Sequence, residues 1–490
     1  MRLRVKRLDI EADKPIVVMH EEDARRVGTY PGGRVELRHG DRTVVAIVNV
    51  TKRAVNPGEI GLYADTCEEL DGGLDYVDVQ PTSEPKSVMY IRKKLDGKHL
   101  SPGEIYEIIM DVVEERLTSA EAAAFVAASY IHGFNMDETV ALTEAIVASG
   151  DIIEISKGPV VDKHCIGGVP NNRTTMLFVP IMASLGFYVP KTSSRAITSP
   201  AGTADTMEVL ARVDLSADEI KEITESVGGV MAWGGGTRIA AADDKLIAIR
   251  RPLALDPRGM LLASIMAKKR AVSSDYVLID IPVGPEAKLS SVRKADELAE
   301  QFVILGHRLG MKVRAVLTDG SAPVGRGVGP VLEAKDVLEI LHGGGPEDLK
   351  KKAVELVAHM LEFVRGVPFD EGLKIAEGQI RSGEALRKMK EIIEAQDGDP
   401  DVRPEDLKPG KYSETIYAEK DGVVRYISNR GIASLARTAG APFAKGAGVY
   451  IHVSRGQRVR KGDPLITVYA ESEKLLRDAL ALNVSPVRIE

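Results

Sequence analysis

Residues 162–175 read DKHCIGGVPNNRTT, and this stretch indicates the fold of the central part of the chain. The apolar residues 152–156, IIEIS, predict a strand before it, and the run TTMLFVPIMASLG predicts a helix at its end. Two adjacent glycines, Gly167 and Gly168, allow a tight turn between these elements. A strand, a turn and a helix make the basic unit of a parallel α/β sheet, in which ligands bind at the carboxyl ends of the strands.

The same alternation of strand and helix continues to about residue 410. Residues 187–194, FYVPKTSS, predict a short strand before another loop and helix, and residues 276–284, YVLIDIPVG, predict a buried strand. A helical stretch at 295–310 and a strand, KVRAVLTDG, at 312–320 follow in turn. This alternation favours a large α/β domain built on a parallel sheet.

The two ends of the chain have other patterns. β-branched runs between Gly and Pro turns predict a β-rich domain at the N-terminus, and Ser101-Pro102-Gly103-Glu104 begins the first of several amphipathic helices. Strand-like runs return near the C-terminus. The predicted domains are a β-rich domain at 1–84, a helical bundle at 85–155 and about 240–272, an α/β phosphate-binding domain at 156–239 and about 273–410, and a β-rich α+β domain resembling a barrel-sandwich at 411–490.

The composition limits the classes of protein to which the chain can belong. Its 490 residues include 65 Lys and Arg against 72 Asp and Glu, a net charge of −7, which argues against binding nucleic acid through bulk positive charge. The 2 cysteines lie far apart and the histidines lack metal-ligand spacing, so we expect no disulfide framework and no required metal. No apolar run is long enough to span a membrane, and we expect a cytoplasmic protein.

The stretch 162–175 also carries the strongest chemical signal. Amides at a helix N-terminus, two flexible glycines, the ammonium of Lys163, the imidazole of His164 and the hydroxyls of Thr174 and Thr175 together favour a phosphate site. The stretch is neither a Walker A loop nor a GxGxxG dinucleotide fingerprint. The simpler alternative is that the glycines only pack a strand against a helix.

Two further segments carry polar groups. Residues 191–203, KTSSRAITSPAGT, combine hydroxyls with Arg195, as sites for phosphomonoesters do, although turns and a helix cap explain the same residues. In the segment 250–270, Asp256 is either an ion-paired turn residue or, if burial raises its pKa, a general acid. Ser264 and Lys268 share one helix face and can contact one ligand, unless Lys268 is simply solvated.

Taken together, KHCIGG at 163–168, SSRAITSPAGT at 193–203 and ASIMAKK at 263–269 resemble the thymidine/pyrimidine-nucleoside phosphorylase family in order and spacing. That family carries Lys-His-Ser-Thr-Gly-Gly, Ser-x-Arg…Gly-Thr and Ala-Ser-Ile-Leu-x-Lys-Lys at these places. The resemblance extends from about residue 88 to 440. It implies a pentosyltransferase that cleaves an N-glycosidic bond with phosphate.

Two departures from the family pattern resemble a branch that acts on nucleotides. Cys165 and Ile166 replace two hydroxyl residues of the first motif, and extra hydroxyls between Ser194 and Ser199 suggest a site for a nucleotide 5′-phosphate. The additional N-terminal β domain is a further similarity. The resemblance implies that AMP, and also CMP or UMP, reacts with inorganic phosphate to give free base and ribose 1,5-bisphosphate, with no cofactor. We also expect a homodimer or a larger homo-oligomer.

The resemblance implies a role for each matching residue. Asp256 matches the proton donor, and Arg250 is the nearest match to an arginine of the nucleoside enzymes, one residue away from its expected spacing. The positions expected to bind the nucleotide are Gly168, Ser194, Arg195, Ala196, Ile197, Thr198, Ser199, Thr203, Ser264 and Lys288. The positions expected to hold inorganic phosphate are Lys163, His164, Thr174, Thr175, Ser193 and Lys268, and Thr203 is shared between the two sets.

Three alternatives remain open from the sequence. A phosphorylase of thymidine or uridine belongs to the same family. Anthranilate phosphoribosyltransferases share the layout of a helical bundle and an α/β domain, but they need Mg²⁺ on an acidic motif that we do not find. Residues 412–490 resemble a lipoyl-carrier sandwich, yet no turn there places a lysine between two methionines, so we expect a structural role.

Overall fold

The computed structural model describes residues 1–12, 14–70, 73–196, 199–253 and 255–490. These residues form two compact units. The first unit contains Met1–Ser149 and Ala241–Ser264, and the second contains Gly150–Ala240 and Ile265–Glu490. Within the described ranges, no helix is both long and apolar enough to cross a membrane.

The first unit begins with a closed six-stranded barrel in the order β1-β5-β2-β4-β3-β6. The alternating apolar side chains of these strands point inward, and Leu3, Val17, Leu37 and Ile60 are completely buried. The strands are β1 (Arg2–Leu8), β2 (Ile16–His20), β3 (Arg34–His39), β4 (Arg42–Thr51), β5 (Glu59–Tyr63) and β6 (Tyr76–Pro81). Two short helices accompany them, α1 (Glu21–Val27) and α2 (Ala64–Glu69).

Helices make up the rest of the N-terminal segment of this unit. Capping boxes at Ser101, Thr118 and Asn135 begin three of them, because each cap side chain accepts a backbone N–H of the first turn. The helices are α3 (Lys86–Leu95), α4 (Pro102–Val113), α5 (Ser119–His132) and α6 (Met136–Ala148). The connection between the barrel and these helices is short, since β6 ends at Pro81 and α3 begins at Lys86.

The second unit begins with two strand–helix repeats. Its elements up to residue 240 are β7 (Val161–Cys165), α7 (Thr174–Ser184), β8 (Val189–Ser193), α8 (Thr203–Met207), α9 (Ala217–Val227) and β9 (Gly229–Trp233). The prediction of a strand at 152–156 is wrong: these residues are irregular, and the first strand is β7, which lies nearer to the glycine turn. In this segment, the backbone N–H of Ile153 donates a 2.7 Å hydrogen bond to the carbonyl oxygen of Ala271.

The chain then passes from one unit to the other. Helix α10 (Ala241–Arg250) packs on α4 and α5 in the first unit, where Lys245 Nζ donates a hydrogen bond of 2.8 Å to the carbonyl oxygen of Val113. Helix α11 (Arg258–Arg270) extends past Ser264, where the second unit resumes.

A parallel sheet organises the second unit, in agreement with the predicted α/β fold class. Strand β10 (Tyr276–Val283) pairs in parallel with β7 on one side and with β11 (Lys312–Asp319) on the other. Strands β8 and β9 form a second parallel pair. Helix α12 (Val292–Arg308) connects β10 to β11, and the short strand β12 (Gly327–Val328) follows.

Four helices complete the core of the second unit. They are α13 (Pro330–Leu341), α14 (Glu347–Arg365), α15 (Phe369–Arg381) and α16 (Glu384–Ala395). Helix α7 is apolar all round and lies in the middle of this core, with Leu177, Phe178 and Ile181 fully buried. Because α7 is buried, its N-terminal turn is held in a fixed position beside the sheet.

The C-terminal segment is antiparallel. Its elements are β13 (Tyr412–Tyr417), β14 (Gly422–Ile427), α17 (Asn429–Thr438), β15 (Gly448–Ile451), β16 (Arg458–Val459), β17 (Pro464–Ala470), α18 (Glu473–Leu480) and β18 (Val487–Ile489). One sheet has the order β12-β15-β17-β13, and a second has the order β16-β14-β18. Strand β12 joins the first sheet by antiparallel pairing with β15, so this segment is connected to the α/β core.

Candidate functional site

The turn between β7 and α7 brings a lysine to the start of a helix. Lys163 on β7 is completely buried, and its Nζ donates a 2.6 Å hydrogen bond to the hydroxyl of Thr174, the first residue of α7. Thr175, the next residue of the helix, is also buried. The ammonium, the hydroxyls and the free amides of the first helical turn therefore meet at one place, which suits an anion.

Buried ionic groups surround this turn on the strand side. One carboxylate oxygen of Asp162 is contacted by the ammonium of Lys269, and the other lies 3.3 Å from Nζ of Lys191. Lys191 Nζ also donates a 2.8 Å hydrogen bond to the carbonyl oxygen of Lys163. Burial lowers the pKa of Lys191 to about 7, although the charge of Asp162 opposes this effect.

A second buried carboxylate, that of Asp280 on β10, lies on the other side of Lys163. Its Oδ1 accepts a 2.6 Å hydrogen bond from Thr318, and its Oδ2 accepts one of 3.1 Å from Asn172. Oδ2 is also 3.7 Å from Nζ of Lys163 and 3.5 Å from Nζ of Lys352. Burial raises the pKa of Asp280, but the charges of Lys352 and Lys163 and the hydrogen bonds from Thr318 and Asn172 together outweigh burial and bring this pKa below its ordinary value.

Counting charges in this described cluster gives an excess of positive groups. Four buried lysines face two buried aspartates. The lysines are Lys163, Lys191, Lys269 and Lys352, and the aspartates are Asp162 and Asp280. Burial of an unpaired positive charge is unfavourable in free energy, and the binding of an anion beside it reduces that unfavourable free energy.

His164 and Cys165 occupy the end of β7. Burial lowers the pKa of His164 well below its ordinary value, and the positive charges of Lys191, Lys269 and Lys268 lower it further. The imidazole is therefore neutral at pH 7. The thiol of Cys165 accepts a 3.0 Å hydrogen bond from the Asn172 amide, and burial raises its pKa, so it is protonated and a poor nucleophile.

Arg173, which the sequence analysis did not select, joins the second polar loop to the start of α7. Its guanidinium donates a 2.9 Å hydrogen bond to the Thr203 hydroxyl and one of 2.6 Å to the carbonyl oxygen of Ala201, and it contacts the buried carboxylate of Glu333. The loop is closed by Gly202, where a Cβ atom would lie 2.5 Å from the carbonyl oxygen of Ser194. The structure thus brings the two predicted phosphate loops together.

Arg195 is held by carboxylates in this structure. Its guanidinium donates hydrogen bonds of 2.8 Å and 2.6 Å to Glu208 and stacks 4.7 Å from the ring of Trp233. Glu208 also contacts the ammonium of Lys445 from the C-terminal segment. The guanidinium is therefore already paired.

The other residues of the second loop have local partners. The Ser193 hydroxyl donates to the carbonyl oxygen of Ser194 at 3.4 Å, and that of Ser199 donates to Ala201 at 2.6 Å. The backbone N–H of Ala196 donates to Asp205 at 2.7 Å. Ile197 and Thr198, which the sequence analysis also placed in the site, lie outside the described residues.

Gly168 and Lys288 are neighbours. Gly168 has a φ of +93°, and a Cβ atom on it would lie only 2.6 Å from the backbone nitrogen of Lys288. A residue other than glycine would therefore be both strained and obstructed. The side chain of Lys288 is exposed, in the loop that follows β10.

The remaining predicted residues lie on helix α11 or just before it. Asp256 and Ser264 belong to the first unit, and Lys268 belongs to the second. The Asp256 side chain is 36 % exposed and lies 3.2 Å from a guanidinium nitrogen of Arg250. The burial expected for a general acid is thus absent here, because Asp256 precedes α11 in an exposed turn. Ser264 is buried on α11, and Lys268 is half-buried.

Several residues of the cluster were missed, and one kind of signal could have found them. Asp162 and Asp280 are charged residues inside apolar strand sequences, VVDKH and YVLIDIPVG, where an acid is rarely buried without a partner. Lys269 and Lys352 come from α11 and α14, and no local pattern connects these helices to the strands. Within the described ranges, no three His, Cys, Asp or Glu side chains lie together as they would to hold a metal ion.

Comparison with known protein families assigns three segments of the chain. Residues 88–150 match the helical bundle domain of the glycosyl transferase family, and residues 157–386 match the a/b domain of that family. Residues 423–489 match the pyrimidine nucleoside phosphorylase C-terminal domain. Among solved structures, the chain resembles anthranilate phosphoribosyltransferase from Thermus thermophilus with a TM-score of 0.54 and 18% identity, over 63% of this chain and 99% of that one, which shows a shared fold.

Curated relatives match over nearly the whole chain. An AMP phosphorylase of Methanosarcina mazei is 46% identical over 100% of this chain and 97% of its own length. An AMP phosphorylase of Pyrococcus furiosus is 45% identical over 100% of this chain and 98% of its own length. AMP phosphorylase 1 of Archaeoglobus fulgidus is 46% identical over 98% of this chain and 95% of its own length. At this level of identity over the full length, the chain belongs to the AMP phosphorylase family.

Proposed function

We propose that this protein cleaves AMP with inorganic phosphate, giving adenine and ribose 1,5-bisphosphate, and that CMP and UMP are further substrates. The observation that carries the proposal is the excess of buried lysines beside the N-terminal turn of α7. A doubly charged phosphate matches that excess. The names of the full-length relatives support AMP over thymidine or uridine as the substrate.

The proposed reaction is a displacement at C1′ of the ribose. A phosphate oxygen forms a bond to C1′ while the bond to the base nitrogen breaks, and the electron pair of that bond leaves with the base. A proton from Asp256 neutralises the departing base, a contribution of roughly 10²–10⁴-fold for a positioned acid. Inorganic phosphate is the co-substrate, and no cofactor takes part in these steps.

Each group of site residues has a part in this proposal. Lys163, Thr174 and Thr175 hold inorganic phosphate together with the amides of α7, because charge and donors converge there. The loop from Ser194 to Thr203, with Gly168, Ser264 and Lys288, binds the nucleotide. Binding of the remote 5′-phosphate orients the sugar for attack.

The proposal extends to organisation and location. We assign residues 1–84 to a separate β-rich domain and 411–490 to a barrel-sandwich-like domain, each with a buried apolar core of its own as support. Exposed apolar side chains on α5, Tyr130 at 56 % and Ile131 at 70 %, support a homodimer or a larger homo-oligomer. The cytoplasm is the proposed location, since AMP and phosphate are available there.

An assay of the purified full-length protein tests the function. AMP and phosphate are supplied together, and adenine and ribose 1,5-bisphosphate are measured by chromatography. We expect release of adenine that requires phosphate, with adenosine and thymidine as much poorer substrates. A folded protein that releases no adenine from AMP, or that prefers thymidine, would show the proposal to be wrong.

A further inference from the structure

Lys352 on α14 is a buried charge with an incomplete set of partners. Its side chain is 9 % exposed, and its Nζ makes no hydrogen bond with any residue that the structure describes. Oδ2 of Asp280 lies 3.5 Å from this nitrogen, and the positive charge of Lys352 also helps to lower the pKa of Asp319. Its two lysine neighbours differ: Lys350 pairs with Glu347, and Lys351 is 73 % exposed and pairs with Glu355. Of the three consecutive lysines, only Lys352 is directed into the core.

The same carboxylate oxygen also faces Lys163. Oδ2 of Asp280 is 3.7 Å from the Lys163 ammonium, which is too long for a hydrogen bond, and Lys163 donates to Thr174 instead. One aspartate thus faces two ammonium groups and neutralises only one positive charge. The second positive charge stays available at the turn between β7 and α7.

A purely structural explanation accounts poorly for this lysine. Burial of an ammonium is costly, and an apolar residue of similar length at the same place would pack in the core without that cost. Asp280 would keep its hydrogen bonds from Thr318 and Asn172 and its ion pair with Lys163. Stability alone therefore does not require a lysine on this face of α14.

We propose that Lys352 is a positioning residue of the phosphate site, which occupies Asp280 so that the Lys163 ammonium stays free to bind inorganic phosphate. Without Lys352, Lys163 would form a neutral pair with Asp280 and turn away from Thr174. The inference rests on the proposed function for the identity of the anion. It adds a residue from α14, far along the chain from the glycine turn, to the groups that set affinity for phosphate.

The experiment compares Lys352→Met with Lys351→Met, the same substitution at an exposed neighbour. Initial rates of adenine release are measured against phosphate concentration at saturating AMP. We expect Lys352→Met to raise the KM for phosphate on the order of tenfold or more, as for the loss of one nearby charge, while kcat and the KM for AMP change little. Lys351→Met should match the unchanged protein, and Lys352→Arg should retain most of the phosphate affinity.

A double variant tests the charge balance directly. In Lys352→Met, the further change Asp280→Asn removes the carboxylate that would neutralise Lys163, so the KM for phosphate should return toward that of the unchanged protein. A merely structural role predicts a second loss instead. Thermal unfolding of each variant shows whether it is folded. If Lys352→Met does not fold, the KM values for phosphate of Lys352→Arg and of the double variant test the proposal instead.

Direct binding separates this inference from the proposed function. Inorganic phosphate alone is titrated into the full-length protein in a calorimeter. Weaker phosphate binding by Lys352→Met supports the inference even if AMP is not the substrate. Equal phosphate binding by Lys352→Met and the unchanged protein overturns it even if AMP is cleaved.

Discussion

The ammonium of Lys163 donates a hydrogen bond of 2.6 Å to the hydroxyl of Thr174, which connects the middle of strand β7 to the first turn of helix α7. Both groups are completely buried. The bond orients the lysine toward the free amides of α7 and away from Asp280, which lies 3.7 Å from the same nitrogen. A hydroxyl at position 174 therefore decides which partner the lysine takes.

Replacing Thr174 with valine removes this hydroxyl and keeps the shape of the side chain. We expect the KM for phosphate to rise about tenfold, since one hydrogen bond to a charged group is lost and Lys163 can turn to Asp280. The measurement is the rate of adenine release against phosphate at saturating AMP. Thr224→Val is the matched control, because the hydroxyl of this buried threonine donates to the carbonyl oxygen of Ile220 within its own helix, α9. Equal phosphate KM values for the two variants would contradict the expectation.

The two glycines of the turn make a pair of variants with different expected effects. Both have a φ of +93°, but a Cβ on Gly167 meets nothing within 4 Å, whereas one on Gly168 would lie 2.6 Å from the backbone nitrogen of Lys288. Gly167→Ala should therefore introduce backbone strain alone, which lowers the free energy of unfolding by roughly 1 kcal/mol. Gly168→Ala should have the same strain and should also displace the loop that contains Lys288, so it should raise the KM for AMP severalfold more than Gly167→Ala does. Thermal unfolding and the KM for AMP measure both effects, and identical results for the two variants would exclude the close approach as their cause.

The lowered pKa of Glu208 predicts that the stability of the folded protein falls at acid pH. Hydrogen bonds from Arg195, and next from Lys445, outweigh burial and lower the pKa of Glu208 to about 2, below its ordinary value of 4.5. The unfolded chain then binds the proton more readily, so this carboxylate stabilises the protein above pH 4.5, and the stability is lost as the pH falls toward 2. Glu208→Gln should lower the melting temperature near neutral pH and flatten its fall between pH 4.5 and 2.

The control for this variant is Glu347→Gln. Glu347 is 78 % exposed and pairs with Lys350 at 3.4 Å, so its neutralisation should change little. Melting temperatures of the three proteins across the acid range make the comparison. If Glu208→Gln and the unchanged protein lose stability in parallel from pH 4.5 to 2, the ion pairs of Glu208 are not the cause.

The fold was predictable from the sequence where local signals are strong. Ser101 caps a helix as its spacing predicts, and the glycine pair follows a parallel strand. The predicted strand at 152–156 was wrong, because this apolar run pairs with no strand among the residues that the structure describes. Helix α13 was also missed, since it is buried on nearly all sides and leaves little periodicity for a single sequence to show. Helix α15 was missed as well, although it buries only one face, at Gly372, Ala376 and Ile380.

The site was predictable only for residues close to a motif. Lys163, Thr174 and Thr203 come together as expected, joined by Arg173. Lys352 was not predictable, because its contact with Asp280 spans elements far apart in sequence. Asp256 was selected by resemblance to a family, and the exposed turn in which it lies gives no physical signal of its own.

The lowered pKa of Lys191 predicts how the affinity for phosphate depends on pH. Because burial lowers the pKa of Lys191 to about 7, its positive charge disappears as the pH rises from 7 to 9. The KM for phosphate should rise over this range in the unchanged protein and rise less in Lys191→Met. Ionisation of free phosphate acts on both proteins equally, so the ratio of the two KM values isolates the lysine. If the ratio of the two KM values stays constant from pH 6 to 9, the protonation state of Lys191 does not change over this range and the prediction is wrong.

Asp256→Asn tests the proton donor, because an amide has the shape of the carboxyl group but cannot supply its proton. We expect kcat to fall by roughly 10²–10⁴-fold while the KM for AMP stays within a few-fold. The amide can still accept the hydrogen bond that Arg250 now gives to Asp256 at 3.2 Å, so the turn before α11 should keep its form.

Two controls make this last result specific. Asp137→Asn changes an exposed aspartate in the first turn of α6, within the same unit, and should leave kcat unchanged. A base that leaves easily without protonation, such as a nitrated purine on ribose 5-phosphate, should recover much of the lost rate in Asp256→Asn, because the proton is no longer needed. If Asp256→Asn cleaves AMP at the full rate, or if the activated substrate is slowed as much as AMP, the proton must come from another group.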